Sequence, residues 1–346
     1  QDLDAFPAHT VVVTDHTEFD FYLIETARGC GRHCRFCMAG YCFRRPRNRS
    51  LAVIERQVKE ALVYRKRIGL MGAAISDYPE INALCKNILG EGLSMSVASF
   101  RADSVTKELV DSLAESGLKT LTMAPEAGSM RMRAVINKGI EEPHLFHAMD
   151  LGLTAGIHHF RLYLMVGLPF ETEEDIDAII DLAGRLKDYM EKRGSKGTLT
   201  LSVNPFIPKP FTPFQWEPMA HRKRVERDLK RMAQILRKRK HIIVHIESPK
   251  EAYIQGVLAR GDRRVGEALL TAAEMGGSKS FGRVMKSMGL DMDAYLYRKR
   301  EKDEVFPWER IDVGVTRDYL YNELKRAASL KSTPACFDGC HRCGVC

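Results

Sequence analysis

The sequence lacks long apolar runs and any recognisable targeting segment. Hydrophobic residues make up 45% of its 346 positions. The apolar stretches are nevertheless short and interrupted by Gly, Pro or charge, well below the ~20 residues that a membrane-spanning helix needs. No secretory pattern, low-complexity segment or internal repeat beyond the βα alternation is visible. These absences exclude a membrane-spanning helix and favour a globular chain with a buried core. Residue 1 is Gln rather than Met, so the natural protein need not begin here.

Nine cysteines without a secretory segment predict a reducing compartment, the cytoplasm, and metal binding rather than disulfides. An early group comprises Cys30, Cys34, Cys37 and Cys42, and a terminal group comprises Cys336, Cys340, Cys343 and Cys346. The remaining Cys85 shares an apolar helical face with Ile81, Leu84 and Ile88 and is expected in the core.

Positive charge is concentrated in one stretch. The net charge is +8, and residues 221–240 contain ten Lys and Arg against only Glu226 and Asp228. This stretch is either the solvated outer face of a helix or a phosphate-binding surface for nucleic acid. Residues 28–49 hold seven Arg and no acid, which could offset a negative cluster or meet an anionic substrate.

Short β-type runs alternate with amphipathic helical stretches from about residue 20 to residue 216. The six predicted strands are Phe21–Glu25, Leu70–Ile75, Leu93–Ser99, Lys119–Ala124, His158–Met165 and Thr198–Asn204. Parallel strands need crossover helices, so the pattern predicts an α/β fold, a partial (β/α)6 TIM-like barrel whose chemistry lies at the C-terminal strand ends. We predict a lead-in over residues 1–20, the barrel over 21–216, a mostly helical extension over 217–330 and a Cys-rich tail over 331–346.

The first cysteine motif has the spacing C-x3-C-x2-C and follows the first predicted strand. Thiolates of Cys30, Cys34 and Cys37 can each hold one iron of a 4Fe–4S cluster, which leaves the fourth iron open for substrate. The alternative is a structural zinc site, but neither His33 nor Cys42 has a common finger spacing to serve as fourth ligand.

This motif closely resembles that of the radical S-adenosylmethionine (SAM) superfamily. The resemblance implies that the open iron chelates the amino and carboxylate groups of SAM. It further implies that one electron cleaves the sulfonium bond and that the resulting 5′-deoxyadenosyl radical abstracts hydrogen from substrate. Phe36 takes the aromatic position where the family packs adenine.

The resemblance extends to later strand ends and implies further SAM contacts. Glu126, in Pro-Glu-Ala-Gly-Ser, would accept from the ribose hydroxyls, and Arg133 or Arg131 would pair with the carboxylate. The other residues implied to contact SAM are Ser99, Arg101, Arg161, Tyr163, Gly167 and Asn204. At the second strand Ser76 and Asp77 stand where amino-group contacts are expected, but no acidic Gly-Gly-Glu signature is present.

The motif set resembles in particular a cobalamin-binding-type group of radical SAM proteins, with looser likeness to methylthiotransferases. Only about 20 residues precede the first strand, and no Asp-x-His-x-x-Gly motif is present. Cobalamin is therefore not assigned to this chain.

The terminal cysteines have the spacing C-x3-C-x2-C-x2-C. Cys336, Cys340, Cys343 and Cys346 could ligate a second 4Fe–4S cluster, with a four-cysteine zinc site as the main alternative.

Three functions follow from these patterns. The first is a radical SAM enzyme, a transferase that modifies RNA or protein with a methyl or sulfur group. The second is a radical SAM enzyme acting on an anionic small molecule. The third is a non-catalytic Fe–S or zinc protein that binds nucleic acid. Either enzyme would need an electron donor of flavodoxin or ferredoxin type.

Overall fold

The computed structural model describes residues 2–10, 12–16, 20–337 and 339–345. Its strands are β1 Tyr22–Glu25, β2 Ala27–Arg28, β3 Arg47–Asn48, β4 Arg67–Met71, β5 Ser94–Val97, β6 Thr120–Glu126, β7 His159–Val166, β8 Leu199–Pro205 and β9 Ile242–Ile246. Its first seven helices are α1 Ala39–Cys42, α2 Leu51–Ala61, α3 Ile81–Gly90, α4 Lys107–Glu115, α5 Met130–Val135, α6 Glu142–Thr154 and α7 Glu173–Lys192. The later helices are α8 Arg222–Leu236, α9 Pro249–Arg260, α10 Arg263–Glu274, α11 Ser278–Ser287, α12 Met292–Leu296 and α13 Arg317–Ala328. Three 3₁₀ turns occupy Leu3–Ala5, Ile75–Asp77 and Pro213–Trp216.

Seven parallel strands follow one another in chain order across the sheet. The ladders run β1-β4-β5 and β6-β7-β8-β9, and a parallel bridge between Phe100 and Met123 joins the two. Each connection carries at least one helix, as parallel pairing requires. Within the described ranges β1 and β9 do not pair, so the barrel is partial. The predicted α/β class with a parallel TIM-like sheet is confirmed.

Alternation along the strands separates an outer from an inner face. In β6 the side chains of Leu121 and Met123 are buried in the main core with the surrounding helices. The intervening Thr122 and Ala124 are only half-buried. Because side chains alternate along a strand, these residues lie on the concave inner face. The fold therefore leaves a polar inner surface at the carboxyl ends of the strands.

The sheet differs from the sequence expectation in two places. The second strand is β4, which begins at Arg67 and ends at Met71, whereas Ile75 lies in a 3₁₀ turn. The chain breaks away from the sheet at Gly72, where a Cβ would come within 2.9 Å of Ile75 Cδ1. In addition, β9 pairs in parallel with β8, so the sheet continues beyond residue 216, the predicted end of the barrel.

The helical extension follows β9. Its helices α9 to α12 bury a separate apolar cluster around Val257, Phe281 and Met285, and α13 packs with the 213–216 turn around Trp216. No helix within the described residues combines the length and apolar character needed to cross a bilayer.

Candidate functional site

The first cysteine motif forms a tight loop after β1. Gly29 has φ +86°, and a Cβ there would collide with the carbonyl oxygen of Phe43. The backbone N–H of Cys37 donates to the carbonyl of Cys34 at 3.0 Å, and α1 begins two residues later. The glycine and this turn hold the three cysteines in one compact segment.

The loop closes one side of a cavity of about 150 Å³ at the carboxyl ends of the first four parallel strands, β1, β4, β5 and β6. The residues that line it are Cys30, Arg32, Cys34, Phe36, Cys37, Ala39, Gly40, Ala73, Ala74, Ser99, Phe100, Arg101, Ala124, Glu126 and Lys138. Seven residues predicted from the sequence are therefore brought to one cavity: the three cysteines, Phe36, Ser99, Arg101 and Glu126.

The cavity thiols lie in a poorly solvated position. Burial raises the pKa of Cys30, although the backbone N–H of Arg32 donates to its Sγ at 3.4 Å and opposes that shift. Burial, together with the nearby Cys34, raises the pKa of Cys37 to about 11. Without a bound cation Cys30 and Cys37 are thiols at neutral pH. Thiolate ligation at this position therefore needs a metal to replace the protons.

The donor set suits a cluster better than a single ion. Ligands of one zinc ion each lie about 2.3 Å from it if they are sulfur, so they crowd within roughly 5 Å of one another. Three thiols distributed around a shared cavity can instead each meet a different iron of a cubane cluster. His33, the alternative zinc ligand, does not line the cavity.

Glu126 is held in an unusual backbone conformation at the end of β6. Its φ is +66°, and the β6–β7 register shifts between Met123 and Glu126. Its Oε1 accepts from Lys138 Nζ at 3.1 Å. A left-handed conformation at a residue other than Gly costs about 1–3 kcal/mol and is maintained by surrounding structure. The strain directs a paired carboxylate into the cavity.

Arg101 is fixed by two contacts. It forms a two-pronged ion pair with Asp103, at 3.0 and 2.9 Å, and donates to the carbonyl of Lys138 at 2.7 Å. Lys138 therefore connects both cavity-lining side chains, Glu126 and Arg101. The sequence reasoning missed Lys138 because it follows a short helix rather than a strand end.

Neither of the two arginines expected at the SAM carboxylate lines this cavity. Arg131 pairs with Asp175 at the start of α7 and donates to the carbonyl of Phe170 at 2.7 Å. Arg133 is buried and donates to the carbonyl of Gly128 at 3.3 Å. A spacing of two residues rotates side chains by roughly 200° around a helix, so the two could not have shared one direction.

The residues expected from the fifth and sixth predicted strands also lie outside the cavity lining. Arg161 and Tyr163 of β7 pair in register with Thr200 and Ser202 of β8, and Asn204 pairs with Met165. Gly167 follows β7 with φ +86°, and its N–H donates to Glu171 at 2.6 Å. Their role in SAM binding stays a prediction.

At the second strand end the side chains of Ser76 and Asp77 already have partners, whereas the neighbouring Ala73 and Ala74 line the cavity. Asp77 accepts from Arg32 Nε and Nη2, each at 2.9 Å, and Ser76 accepts from Ser104 at 2.8 Å. Neither residue lines the cavity.

Most of the early arginines have structural partners. Arg28 and Arg49 both pair with Glu25, and Arg32 pairs with Asp77. Arg35 is fully buried on Glu323. Arg32 nevertheless also lines the cavity, and Arg44 Nη1 lies 4.0 Å from Cys343 Sγ in the tail. That arginines of this segment offset a cluster or meet an anionic substrate stays a prediction.

The Cys-rich tail packs directly against the first cysteine loop. The backbone N–H of Cys336 donates to the carbonyl of Gly31 at 2.8 Å, and that of Thr316 donates to the carbonyl of Cys343 at 3.0 Å. Between the two segments lies His33, whose Nδ1 is 2.6 Å from the Tyr319 hydroxyl. Burial, followed by the charge of Arg44, lowers the pKa of His33 to about 3. This imidazole is therefore neutral and joins the loop to α13 through Tyr319.

Arg35 of the loop also stabilises the contact between the loop and the C-terminal segment. Its guanidinium donates to Glu323 at 3.1 Å, to the carbonyl of Val135 at 2.9 Å and to that of Lys331 at 2.6 Å. The side chain has no solvent exposure. Arg35, which lies between the second and third cysteines of the motif, therefore anchors α13 and the tail to the loop.

The tail thiols occupy a different environment from those of the loop. Cys340 and Cys343 are buried, whereas Cys336 is half-exposed. Arg342 Nε donates to Cys340 Sγ at 3.0 Å. Burial acts to raise the pKa of Cys340, but Arg342 lowers it overall. Cys346, the fourth expected ligand, lies outside the described residues, and a metal at the tail stays a prediction.

Comparison with known proteins identifies the class of this domain. Residues 24–183 match the model of the Radical SAM superfamily. Residues 24–183 therefore form a radical SAM domain, which confirms the resemblance drawn from the cysteine spacing.

This chain is similar to three known proteins, among others. Uncharacterized protein MJ0966 of Methanocaldococcus jannaschii is 34% identical over 271 residues, covering 77% of this chain and 58% of that protein. Cytidylyl-2-hydroxyethylphosphonate methyltransferase of Streptomyces wedmorensis is 25% identical over 196 residues, covering 53% of this chain and 35% of that protein. The structure of the radical S-adenosylmethionine methyltransferase TsrM from Kitasatospora setae, with cobalamin and a 4Fe–4S cluster bound, aligns with a TM-score of 0.46 and 17% identity, covering 56% of this chain and 38% of that one. The chain spans less than two thirds of the length of each.

Proposed function

We propose that this chain binds a 4Fe–4S cluster through Cys30, Cys34 and Cys37 and cleaves SAM reductively in the adjoining cavity. The observation that carries the proposal is the convergence of these three thiols with Phe36, Ser99, Arg101 and Glu126 on one cavity. When bound, such a cluster supplies the electron that breaks a carbon–sulfur bond of SAM and releases the 5′-deoxyadenosyl radical.

The protein side chains position SAM for that cleavage. Glu126, held by Lys138 Nζ at 3.1 Å, accepts hydrogen bonds from the ribose hydroxyls. Arg101, already oriented by Asp103, supports the negative end of the amino acid moiety. Phe36 offers an aromatic surface to adenine.

Electrons come from a flavodoxin or ferredoxin type of donor in the cytoplasm. A second cluster on the tail cysteines would lie on the outer side of the loop, because Cys336 contacts Gly31 there. That placement suits an electron relay or a structural anchor. A zinc ion at the same cysteines would serve only as an anchor.

The released radical starts a methyl-group or sulfur-group modification of a substrate, for which RNA or protein is one candidate. Support for a nucleic acid came from the basic stretch at residues 221–240. In the structure three of its ten basic residues pair with carboxylates of the neighbouring helix α7. The ion pairs are Arg227–Glu173, Arg231–Asp177 and Arg239–Asp188.

That pairing favours the second candidate, an anionic small molecule. Exposed ion pairs leave little net potential to attract phosphates. The Streptomyces relative, whose name gives a cytidylyl phosphonate as its methyl acceptor, is an example of such chemistry in a similar protein. Among the described residues no carboxylate lies within ion-pair distance of Lys223, Lys230, Arg237, Lys238 or Lys240, so a weaker basic surface persists.

An anaerobic assay tests the proposal. The reconstituted protein with SAM and a low-potential reductant should release 5′-deoxyadenosine, and deuterium from a labelled true substrate should appear in that product. A protein that binds iron but yields no 5′-deoxyadenosine would support the non-catalytic Fe–S reading. A gel shift with tRNA or rRNA that persists in ~0.2 M salt would favour RNA over the small molecule.

A further inference from the structure

A second cavity, of about 350 Å³, lies in the helical extension between α9, α12 and the segment that follows α12. Its lining is rich in arginine. The residues are Arg260, Asp262, Arg264, Gly289, Leu290, Asp291, Ala294, Tyr295, Arg298, Arg300, Glu304, Val305 and Pro307. None of these residues belongs to the cavity at the cysteine loop.

Two of the four arginines in the lining are already neutralised. Arg264 pairs with Asp262 at 2.6 Å, and Arg298 pairs with Glu304 through both Nη atoms, at 2.6 and 2.7 Å. Their carboxylates are therefore committed and do not serve the other two guanidinium groups.

The other two, Arg260 and Arg300, have no carboxylate within ion-pair distance among the described residues. Arg260 is 1% exposed and Arg300 is 6% exposed. Arg260 makes one hydrogen bond through its side chain, from Nη1 to the carbonyl of Glu217 at 2.6 Å. Its Nε and Nη2 are buried without a partner. Arg300 Nη2 donates to the carbonyl of Arg260 at 3.2 Å.

Such an arrangement is costly unless something else completes it. A buried guanidinium without its hydrogen bonds is destabilising, and burial together with Arg300 lowers the pKa of Arg260 to about 9. The position of Arg260 at the carboxyl end of α9 offsets part of the charge through the helix dipole. That effect does not satisfy the Nε and Nη2 hydrogens.

The surroundings also hold Arg300 in a fixed orientation. Its guanidinium carbon lies 5.2 Å from the ring centre of Phe306 and 5.1 Å from that of Trp308. The aromatic rings stabilise the cation without taking its in-plane N–H donors. A planar donor group with free N–H edges matches an oxyanion bound through two oxygens.

We propose that this cavity binds the phosphate group of a small molecule or nucleotide, with Arg260 and Arg300 as its ligands. A phosphate carries close to two negative charges at neutral pH and offers several acceptor oxygens, so one group can serve both arginines. The volume falls in the range of small-ligand sites. The proposal is independent of SAM cleavage, because the two cavities share no residue.

The test uses the full-length protein and titrations with inorganic phosphate and with AMP, followed by calorimetry and ³¹P line broadening. Both probes should bind, with AMP tighter if the site takes a nucleotide and equal affinities if it recognises phosphate alone. Arg260→Met and Arg300→Met should each weaken phosphate binding by about tenfold or more, as expected for a charge-assisted contact. Arg264→Met is the matched control, since it lines the same cavity but is paired with Asp262, and should change affinity by less than about threefold.

Absence of saturable binding of either probe to the wild-type protein would overturn the proposal and leave water as the occupant of the cavity. Equal affinities of the wild-type, Arg260→Met and Arg300→Met proteins would also overturn it. If Arg260→Met does not fold, Arg300→Gln and the wild-type titration decide the question. Release of 5′-deoxyadenosine by the same preparations is measured separately, so a failure here is distinguishable from a failure of the proposed SAM chemistry.

Discussion

The two cysteine-bearing segments have nearly the same spacing but differ in what their thiols face. Cys30, Cys34 and Cys37 line an open cavity at the strand ends. The tail thiols of Cys340 and Cys343 are buried against the protein, at 2% and 1% exposure. The difference separates two kinds of metal chemistry. Thiols at a cavity can leave one metal position for a substrate, whereas enclosed thiols suit a fully ligated metal that transfers electrons or holds structure.

The largest effect should come from the loop thiols. Replacing Cys30, Cys34 and Cys37 with Ala should abolish 5′-deoxyadenosine formation, because no thiolate remains to hold the catalytic cluster. Cys42→Ala is the matched control, since this cysteine belongs to the same segment but does not line the cavity. Product at the wild-type rate from the triple variant would falsify the assignment of the cluster to the loop.

Tail substitutions should produce a partial effect. With two cubane clusters the protein holds about eight irons, four at each site. The double variant Cys340→Ala with Cys343→Ala should lose about half the iron and retain SAM binding at the loop. Metal analysis that finds about four irons and one zinc in the wild-type protein would make the tail a zinc site and end the relay interpretation.

The contact between loop and tail should depend on Arg35. Arg35→Leu removes the closer of the two cations paired with the buried Glu323 carboxylate and leaves Arg326 at 3.5 Å. The loss should cost at most about 3–5 kcal/mol in the free energy of unfolding, the range for breaking a buried ion pair. Arg47→Leu is the control, because Arg47 lies in the same segment and donates only to the carbonyl of Arg45. Denaturant unfolding measures both. Equal stabilities of the two variants would show that the anchor is not needed.

A smaller effect is expected within the cavity. Glu126→Ala should weaken SAM binding by about 1.5–3 kcal/mol, the range for a hydrogen bond to a charged group, with the iron content unchanged. Arg131→Ala should leave the SAM dissociation constant unaltered, because Arg131 pairs with Asp175 outside the cavity. Equal changes in SAM affinity for the two variants would show that Glu126 contributes no more to SAM binding than Arg131 does.

The last prediction concerns the pH dependence of the stability of the fold, away from both cysteine segments. Burial raises the pKa of Glu171 from 4.5 to about 7, so the folded state holds a proton that the unfolded state has released. This term therefore lowers stability as pH rises from about 4.5 to 7. Glu171→Gln can still accept from the N–H of Gly167. It should be more stable than the wild-type protein above pH 7 by up to about 3 kcal/mol, with no difference below pH 4.5. A constant difference in thermal unfolding across this range would contradict the shift.

Strand periodicity was enough to predict the parallel sheet, because buried strands carry apolar residues whatever their neighbours. Periodicity failed where tertiary contacts determine where a strand begins or which strands join the sheet. Position 69 of β4 favours glycine, because a Cβ there would lie 2.6 Å from Leu23 Cδ2. A glycine carries no strand signal, so the predicted strand began only after it. β9 was placed outside the barrel because the basic α8 interrupts the apolar pattern before it.

The cavity was predictable as far as its residues belong to recognisable motifs. Cysteine spacing and the Pro-Glu-Ala-Gly-Ser segment led to Cys30 and Glu126. Pairing is not visible in a sequence, so the ion pair between Arg131 and Asp175 and the contact between Lys138 and Glu126 could not be foreseen. The same holds for the tail, whose packing on Gly31 joins residues about 300 positions apart.

That long separation has a consequence for synthesis of the protein. Arg35 and Glu323 are 288 residues apart. At usual elongation rates of about 5–20 residues per second, the loop emerges roughly 15–60 s before its anchor. During this interval the loop cysteines lack the cover of α13 and the tail and are open to iron–sulfur delivery, or to oxidation, in the growing chain. The closing contact then forms only on chains that have been translated to their last helix.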